Sequence, residues 1–440
     1  MRTFRRALVA VAAILLVQVC TLPALSLVDA SFSTDWPMFH HDSTHSGYTN
    51  STVPTIPLAQ VWNRTIGVDV LSSPESPSVV NGYIYVGDGD HNVYCFKAST
   101  GAVVWSYPTG NYVDSSPAVI DSHVYVGSSD GNVYCLDAST GTKIWNYPAG
   151  GESSPAVANG YVYVSSSIDG NVYCLDASNG NKIWNFQAGS SHSVLGSPAV
   201  AGAYVYVGSG DGNVYCLDAS TGTKIWNYTV GGGVGSPAVV GGYVYVGSTN
   251  GNAYCLDAGT GAKLWNYTTE YNYNGPSHNF HWGNSVSDPA VAYERVYVGS
   301  SDFDVFCLDA STGVQIWNFT TDAEVYSSPT VADGCVLAGS YDGNVYCLNA
   351  SDGSELWSFP AGVFSPTNAG GGAGSPVVAD GIVYAVGNGA VYALGMPSTL
   401  SNSSLIVVAV TIAAIVIVAV VAAFVYYKFF RIKKGSPSPT

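Results

Sequence analysis

The chain has 440 residues, a formal net charge of −16 and only 10% charged residues, while glycine (50) and tyrosine (31) far outnumber methionine (3). Glycine, aromatic residues and valine in these proportions favour many short strands joined by tight turns and argue against a helical protein. A strongly acidic chain repels phosphate backbones, which argues against a nucleic-acid-binding function.

The N-terminal residues 1–30 form a predicted signal peptide. Three arginines precede an apolar run, and the small residues near Val28 and Ala30 are spaced for cleavage. Cys20 has the position of a lipoprotein cysteine, but "VQVC" lacks the small residue that usually precedes a lipidated cysteine. We therefore expect secretion through cleavage rather than lipidation.

A second apolar segment, Leu405–Tyr427, has 23 residues without a charge. That length spans the roughly 30 Å hydrocarbon core of a bilayer. Four basic residues follow at once and place the tail 428–440 in the cytoplasm. The sequence thus predicts a single-pass protein of the cell membrane, with residues 31–397 extracellular, a linker at 398–404 and a transmembrane helix at 405–427. Residues 31–404 alone carry a net charge of −22, which suits cations or basic partners.

Between these ends the chain consists of repeats. Eight tryptophans recur with a period near 40 residues: Trp62, Trp105, Trp145, Trp184, Trp226, Trp265, Trp317 and Trp357. One unit predicts four strands, with A at "SSPAVAN", B at "YVYVSSS", C at "VYCLDAS" and D at "KIWNF", separated by turns rich in Asp-Gly and Asn-Gly. Four strands at this period predict an all-β, eight-bladed β-propeller.

The order of the strands predicts how the ring closes. The first tryptophan strand, Val61–Ile66, comes before any A, B or C strand, and the last unit, Gly374–Leu394, has no tryptophan strand. We therefore expect the N-terminal strand to complete the eighth blade.

The repeat also resembles a known family. "LDASTGTKIW" (Leu136–Trp145) and its copies resemble the tryptophan-docking motif of the pyrroloquinoline-quinone-type (PQQ-like) β-propellers, and "DWPMFHHDSTHSGYT" (Asp35–Thr49) is similar to the lead-in that often precedes such repeats. The resemblance covers about residues 35–394. It implies that each tryptophan packs between neighbouring blades and that a glycine allows the turn before strand D. The family includes noncatalytic scaffolds, among them the propeller of bacterial outer-membrane protein assembly, and quinoprotein dehydrogenases that hold PQQ with a calcium-type ion, an acidic base and often two adjacent cysteines.

Seven cysteines share one position of strand C: Cys95, Cys135, Cys174, Cys216, Cys255, Cys307 and Cys347. Equivalent atoms of adjacent blades should be roughly 10 Å or more apart at this distance from the axis, too far for a disulfide or a shared metal. We predict buried thiols that fill small apolar spaces. Cys335, on strand B of the seventh blade, is close to Cys347, but simple alternation places the two on opposite faces, and a disulfide between them stays an alternative.

The acidic residues fall into two repeated sets. One set precedes the C–D turns, where a side-chain oxygen can bond the turn, and Asn349 replaces the acid in one unit: Asp137, Asp176, Asp218, Asp257 and Asp309. The other lies in the B–C turns, where turn formation competes with calcium binding: Asp90, Asp130, Asp169, Asp211, Asp302 and Asp342. No acid stands out from these positions, and no Cys-Cys pair is present. We expect no cofactor, with PQQ and calcium as the alternative.

Candidate binding residues lie where the repeat is interrupted. The longest interruption, between Trp265 and Pro289, concentrates aromatic residues and histidines, and we predict a ligand-binding site there, with a packed flap as the alternative: Tyr271, Tyr273, His278, His281 and Trp282. A second, glycine-rich interruption is Ala361–Gly374. The lead-in carries His40, His41, Asp42 and His45, for which a structural role competes with a metal site.

Seven sequons predict sites of N-glycosylation: Asn50, Asn63, Asn227, Asn266, Asn318, Asn349 and Asn402. Four of them directly follow a repeat tryptophan, so alternation places the asparagine on the opposite, outward face of strand D. Glycans there would block edge-to-edge aggregation, and chance occurrence in a chain rich in Ser, Thr and Asn is the alternative.

These observations predict a membrane-anchored extracellular propeller that acts as a binding or scaffold module for a protein, peptide or glycan. The alternatives are a PQQ-dependent quinoprotein dehydrogenase and a structural protein of adhesion or of the envelope.

Overall fold

The structure is a computed structural model, and it describes residues 35–53, 58–66, 76–151, 153–190, 196–269, 285–362, 373–387 and 389–395. Within these ranges the strands form eight sheets, each built on four antiparallel strands. The predicted all-β, eight-bladed propeller is confirmed. The short strand Tyr48–Thr49 adds in parallel to the inner edge of the seventh blade, opposite Val331 and Ala332.

The strands are given in the order A, B, C and D. Blade 1 has Ser78–Val80, Tyr83–Gly87, Asn92–Lys97 and Val103–Pro108, and blade 2 has Ala118–Ile120, His123–Gly127, Val133–Asp137 and Lys143–Tyr147. Blade 3 has Ala156–Ala158, Tyr161–Ser165, Asn171–Asp176 and Lys182–Gln187, and blade 4 has Ala199–Ala201, Tyr204–Gly208, Asn213–Asp218 and Lys224–Thr229. Blade 5 has Ala238–Val240, Tyr243–Gly247, Asn252–Asp257 and Lys263–Thr268, and blade 6 has Ala290–Ala292, Arg295–Gly299, Asp304–Asp309 and Gln315–Thr320. Blade 7 has Thr330–Ala332, Cys335–Gly339, Asn344–Asn349 and Glu355–Pro360, and blade 8 has Val377–Ala379, Ile382–Gly387, Ala390–Gly395 and, as its outer strand, Ala59–Thr65.

The outer strand of blade 8 therefore comes from the N-terminal side of the chain. Ala59–Thr65 runs antiparallel to Ala390–Gly395, with Trp62 opposite Ala393. The eighth sheet joins residues that are more than 300 positions apart in the sequence.

Burial decreases from the inner strands to the outer one. Strand B of blade 3 is buried at four of its five positions, whereas in strand D only Trp184 is buried. A β-bulge precedes that tryptophan, since Cys174 pairs with Trp184 and Leu175 with Lys182. The unpaired Ile183 consequently faces solvent with 46% of its surface exposed. A bulged edge of this kind discourages pairing with the edge of another sheet.

The connections define two faces of the ring. The B–C turns and D–A loops meet on the face that we call the loop face: the amide of Ser129 donates to the carbonyl of Tyr112 at 2.8 Å, and the amide of Gly110 donates to Asp130 Oδ2 at 2.7 Å. The A–B and C–D turns meet on the other, the turn face, where the amide of Ala138 donates to the carbonyl of Ser122 at 2.9 Å.

In the part of the chain that the structure describes, no helix is both long enough and apolar enough to cross a membrane. The predicted signal peptide at 1–30, transmembrane helix at 405–427 and tail at 428–440 lie outside the described residues.

Candidate functional site

The repeated tryptophans join neighbouring blades. In seven of the eight, the indole Nε1 donates to the carbonyl of an alanine that begins the C–D turn of the next blade, as Trp184 does to Ala219 at 2.9 Å. The same bond joins Trp62 to Ala98, Trp105 to Ala138, Trp145 to Ala177, Trp226 to Ala258, Trp265 to Ala310 and Trp317 to Ala350. Trp357 is also buried. The role that the resemblance implied is confirmed.

A glycine in each of these turns lies against the indole. Gly222 has a φ of +69°, in the left-handed region, and a Cβ there would lie 2.6 Å from Trp184 Cε3. Glycine is therefore required for two reasons: the turn needs a left-handed residue, and the indole leaves no space for a Cβ.

The acids before the C–D turns stabilise those turns. Asp137 Oδ1 accepts from the amides of Ser139 at 3.0 Å and Thr140 at 2.8 Å, and hydrogen bonds from both side chains and amides hold the pKa of Asp137 low, at about 2. Asn349 accepts from the amide of Ser351 in the same way, at 2.8 Å. The side-chain oxygen of an amide thus makes the first of these bonds as the carboxylate does, so charge is not required for it.

Five of the six acids of the B–C turns also have local partners, and Asp302 is the exception. Asp130 Oδ1 accepts from the amide of Asn132 at 2.9 Å, and Asp130 Oδ2 accepts from the hydroxyl of Tyr134 at 2.6 Å. Among the described residues no three His, Cys, Asp or Glu side chains are grouped to hold a metal. These contacts support the turn-forming interpretation over calcium binding.

The cysteines of strand C are buried free thiols. Burial raises the pKa of Cys95 to about 12, which keeps it protonated and unreactive. The prediction that Cys335 and Cys347 point to opposite faces is wrong. Cys335 pairs with Asn349, and Leu337 pairs with Cys347, so the register places both cysteines on the same face. Their thiols are in hydrogen-bonding contact, and this contact together with burial raises the pKa of Cys347.

We expect all eight of these cysteines to be reduced and protected. In the native protein a thiol reagent such as Ellman's reagent should label none of them, because every one is buried. After unfolding without reductant it should label eight thiols in the propeller. A count of six would show that Cys335 and Cys347 are joined.

The lead-in lies inside the ring. Its backbone bonds the inner edges of strands A: the amides of Val119, Val239 and Val331 donate to the carbonyls of Pro37 at 2.7 Å, Thr44 at 2.8 Å and Gly47 at 2.8 Å. Val79, Val200 and Val291 donate in the same way to Trp36, Ser43 and Ser46. At the A–B turns, the amides of Asn81 and Gly381 donate to Asp35 and Ser51. The lead-in therefore contacts blades 1, 2, 4, 5, 6, 7 and 8 near the turn face.

The histidines of the lead-in fill this inner space. His40 and His45 are 3% and 1% exposed, and the ring of Phe39 stacks on His40 at 4.4 Å. Both adopt left-handed backbone conformations, with φ of 51° and 57°. His45 Nδ1 lies 3.2 Å from the carbonyl of Pro237. Burial lowers the pKa of His40 to about 3 and of His45 to about 4, so both are neutral at pH 7.

Asp42 shapes the lead-in itself. Its carboxylate accepts from the amide of Thr44 at 2.9 Å and from the hydroxyl of Ser46 at 2.6 Å. These contacts support the structural interpretation of this segment over a metal site.

A ring of hydrogen bonds lies next to the lead-in, on the side of the loop face. The residue before each repeat proline is Ser76, Ser116, Ser154, Ser197, Ser236, Asp288, Ser328 or Ser375. At six of these eight positions the side chain accepts from the amide of the equivalent residue in the preceding blade, as Ser154 accepts from Ser116 at 3.0 Å. The other such bonds join Ser76 to Ser116, Ser154 to Ser197, Ser197 to Ser236, Ser236 to Asp288 and Ser328 to Ser375. We call this set the serine ring.

Asp288 is the one carboxylate of the serine ring. Its Oδ1 accepts from the amide of Ser236 at 2.7 Å, and the residue keeps partial exposure. Burial raises the pKa of Asp288 to about 6, although hydrogen bonds from Ser236 lower it in part. The inference that no acid stands out from the repeated turns is therefore wrong. Aligning the repeats on the residue before the proline would have found Asp288.

Asp288→Ser restores the residue of the other blades and should stabilise the protein at alkaline pH. The pKa of Asp288 is raised from 3.8 to about 6 in the folded state. Its ionisation therefore lowers the free energy of unfolding, and the loss is complete above pH 6. The loss is about 3 kcal/mol at most, or about 1–2 kcal/mol after allowing for the partial exposure of the side chain. The gain should be greatest at pH 8 and should disappear as the pH falls towards 4. Thermal unfolding at both pH values measures it, and a variant that is destabilised at pH 8 would contradict it.

The structure places some predicted residues and not others. The predicted binding residues Tyr271, Tyr273, His278, His281 and Trp282, and the sequon at Asn402, lie outside the described residues. The side chains of Asn63, Asn227, Asn266 and Asn318 are exposed on outer strands, as alternation predicts, and Asn50 is also exposed. Asn349 is half-buried. Glycosylation itself stays a prediction.

A family model described as the outer membrane protein assembly factor BamB matches residues 59–267 and 278–398. The chain belongs to this family of PQQ-like repeat propellers. Among curated proteins, none matches it.

Solved structures share the fold at low identity. BamB from Moraxella catarrhalis is 21% identical, with a TM-score of 0.59 over 78% of this chain and 98% of that one. The computationally designed Ika8 protein is 17% identical, with a TM-score of 0.63 over 77% and 99%. The quinohemoprotein alcohol dehydrogenase ADHIIG from Pseudomonas putida HK5 is 16% identical, with a TM-score of 0.65 over 82% and 80%. These likenesses show the fold alone, and the function must be argued from the site.

The described residues do not fit PQQ. The quinone is a tricarboxylate and needs cationic partners, but every lysine and arginine of residues 35–395 lies at the turn face or bonds to it. In the serine ring, the carboxylate of Asp288 would repel the quinone. We therefore derive no reaction through this group.

Proposed function

We propose that the protein is a noncatalytic binding module whose loop face holds a protein, peptide or glycan partner. The observation that carries this proposal is that the repeated side chains suited to chemistry have architectural roles. The cysteines are buried thiols, the tryptophans bond the next blade, and the aspartates before strand D stabilise turns. Membership of a family described as an assembly factor supports a binding role.

We further propose that the propeller stands outside the cell, anchored through Leu405–Tyr427 with residues 428–440 in the cytoplasm. The uncharged segment and the basic residues after it support this orientation. Outward asparagines on the D strands, such as Asn227 and Asn266, are exposed and accessible to a glycosylating enzyme. Glycans there would leave the loop face free.

Chemical cross-linking on cells tests the binding role. The full chain should capture a defined partner, and the variant Tyr271→Ala/His281→Ala/Trp282→Ala should lose it. The matched control is Ile144→Ala/Ile183→Ala/Ile225→Ala, which removes side chains 44%, 46% and 48% exposed on outer strands.

Loss of the partner in the control as well as in the loop variant would move the binding surface to the outer strands. A chain that captures no partner would instead be a structural spacer.

A further inference from the structure

The basic residues of the propeller are segregated to one face. Lys97 ends strand C of blade 1, and Lys143, Lys182, Lys224 and Lys263 begin D strands, all next to C–D turns. Arg295 begins strand B of blade 6 and donates to the carbonyl of Ser351 at 3.0 Å. Arg64 Nε donates to the carbonyl of Gly101 at 2.9 Å, in a C–D turn. These are all the lysines and arginines between residues 35 and 395.

The loop face carries the opposite charge. Its described turns and loops hold the carboxylates of Asp88, Asp90, Asp114, Asp130, Asp169, Asp211, Asp288, Asp302, Asp322, Glu324 and Asp342. No lysine or arginine lies in these described connections. Charges of one sign around a shared opening produce a field that attracts ligands of the other sign and raises their association rate.

Two carboxylates of this face lack the partners that their counterparts have. Both oxygens of Asp302 are buried and accept no hydrogen bond. In blade 2 the hydroxyl of Tyr134, four residues after Asp130, donates to that acid, whereas in blade 6 the corresponding residue is Phe306, which has no hydroxyl. Burial raises the pKa of Asp302.

Asp88 shows the same deficit. Its Oδ2 is buried without a partner, and burial, with the charge of Asp90, raises the pKa of Asp88 to about 6. Ser128 and Ser340 occupy the same turn position in blades 2 and 7, so the acid is specific to blade 1. Buried and unpaired carboxylates cost free energy that an approaching cation would recover.

The centre of the ring also differs between the two faces. The lead-in occupies the turn-face side, bonded to the A strands and packed around His40 and His45. A ligand therefore reaches the serine ring from the loop face. The carboxylate that it meets there is Asp288, at the position where the other seven repeats have serine.

We propose that the loop face binds a basic polypeptide segment, with one lysine or arginine side chain directed at Asp288. The carboxylates are distributed over blades 1, 2, 3, 4, 6 and 7, which suits several cations along a chain better than one ion. The inference rests on the proposed function and specifies its partner as basic. It uses described residues alone.

Peptide binding to the full chain in detergent tests the proposal, with a ten-lysine peptide as the probe and a ten-residue peptide of alternating lysine and glutamate as the neutral comparison. The chain supplies matched variants in blades 2, 3 and 4. Asp130→Asn/Asp169→Asn/Asp211→Asn removes three negative charges from the loop face, and Asp137→Asn/Asp176→Asn/Asp218→Asn removes three from the turn face. Both changes have precedents in the chain, since Asn250 and Asn349 occupy the same positions and keep the turn bonds at 3.2 Å and 2.8 Å.

We expect the loop-face variant and Asp288→Ser each to weaken binding of the ten-lysine peptide about tenfold, while the turn-face variant changes it less than twofold. Binding should weaken as salt rises, because exposed charges are screened. Equal losses in both triple variants would mean attraction to net charge alone and would overturn the proposal. Unchanged binding in Asp288→Ser would also overturn it.

The outcome is separable from that of the proposed function. A cross-linked partner that binds the loop-face variant as well as the original would overturn the basic-partner inference and leave the binding role intact. Binding of the ten-lysine peptide as expected, with no partner captured on cells, would support the surface and contradict the binding role.

Discussion

Gly180→Ala is expected to lower the free energy of unfolding by about 2–5 kcal/mol. The residue has a φ of +74°, and its Cβ would lie 2.7 Å from both Cδ2 and Cε3 of Trp145. A left-handed alanine costs about 1–2 kcal/mol, and overpacking adds about 1–3 kcal/mol. The displaced indole would also lose its bond to the carbonyl of Ala177, now 3.0 Å long. Thermal or urea unfolding measures the change.

Gly160→Ala is the matched control. Gly160 lies in the same blade with a φ of +79°, and nothing is within 4 Å of its added Cβ. Gly160→Ala should lower the free energy of unfolding only by the cost of the left-handed conformation, about 1–2 kcal/mol. Equal destabilisation by the two substitutions would show that the packed indole contributes nothing beyond the turn.

The second large effect is a loss of stability in acid caused by the lead-in. The pKa values of His40 and His45, about 3 and 4, lie below the ordinary 6.5. The unfolded chain binds these protons first, so stability falls as the pH drops from about 6.5 towards 4. At pH 5 each histidine should cost about 2 kcal/mol. Asp88 and Asp288, with pKa values of about 6, offset part of this loss over the same range.

The variant His40→Asn/His45→Asn isolates the histidines, because asparagine tolerates a left-handed backbone. Its unfolding temperature should fall less between pH 7 and pH 5 than that of the original protein. His91→Asn is the control, since His91 also has a positive φ, 73°, but lies half-buried on the loop face. Equal acid sensitivity in all three proteins would contradict the assignment.

The repeated features were predictable from the sequence because each of them recurs in several units, so that the pattern is recognisable even where one unit departs from it. The spacing of the tryptophans predicted eight units, and Asn349 in place of an aspartate already showed that the C–D turn does not need a negative charge. The eight sheets and the bond accepted by Asn349 confirm both interpretations.

The features missed were those that occur once. The contact of Ser43 with Val200 joins segments 157 residues apart, and no local pattern encodes it. The other seven repeats have serine at the position of Asp288, and this difference becomes visible when the repeats are aligned on the proline. Whether Cys335 and Cys347 lie on the same face of the sheet depends on the register of the hairpin. A shift of one residue moves every side chain of a strand to the other face.

The pairing of Ala59–Thr65 with Ala390–Gly395 has a consequence for how the protein is made. The ribosome produces the first of these strands more than 300 residues before its partner. Throughout synthesis that early strand has no sheet to join, and loop closure over such a distance is slow. A chain that stops short of residue 390 would have two open blade edges, each ready to pair with another molecule. We therefore expect the propeller to be soluble only when synthesis reaches its last strand, because Ala390–Gly395 covers the edge of Ala59–Thr65.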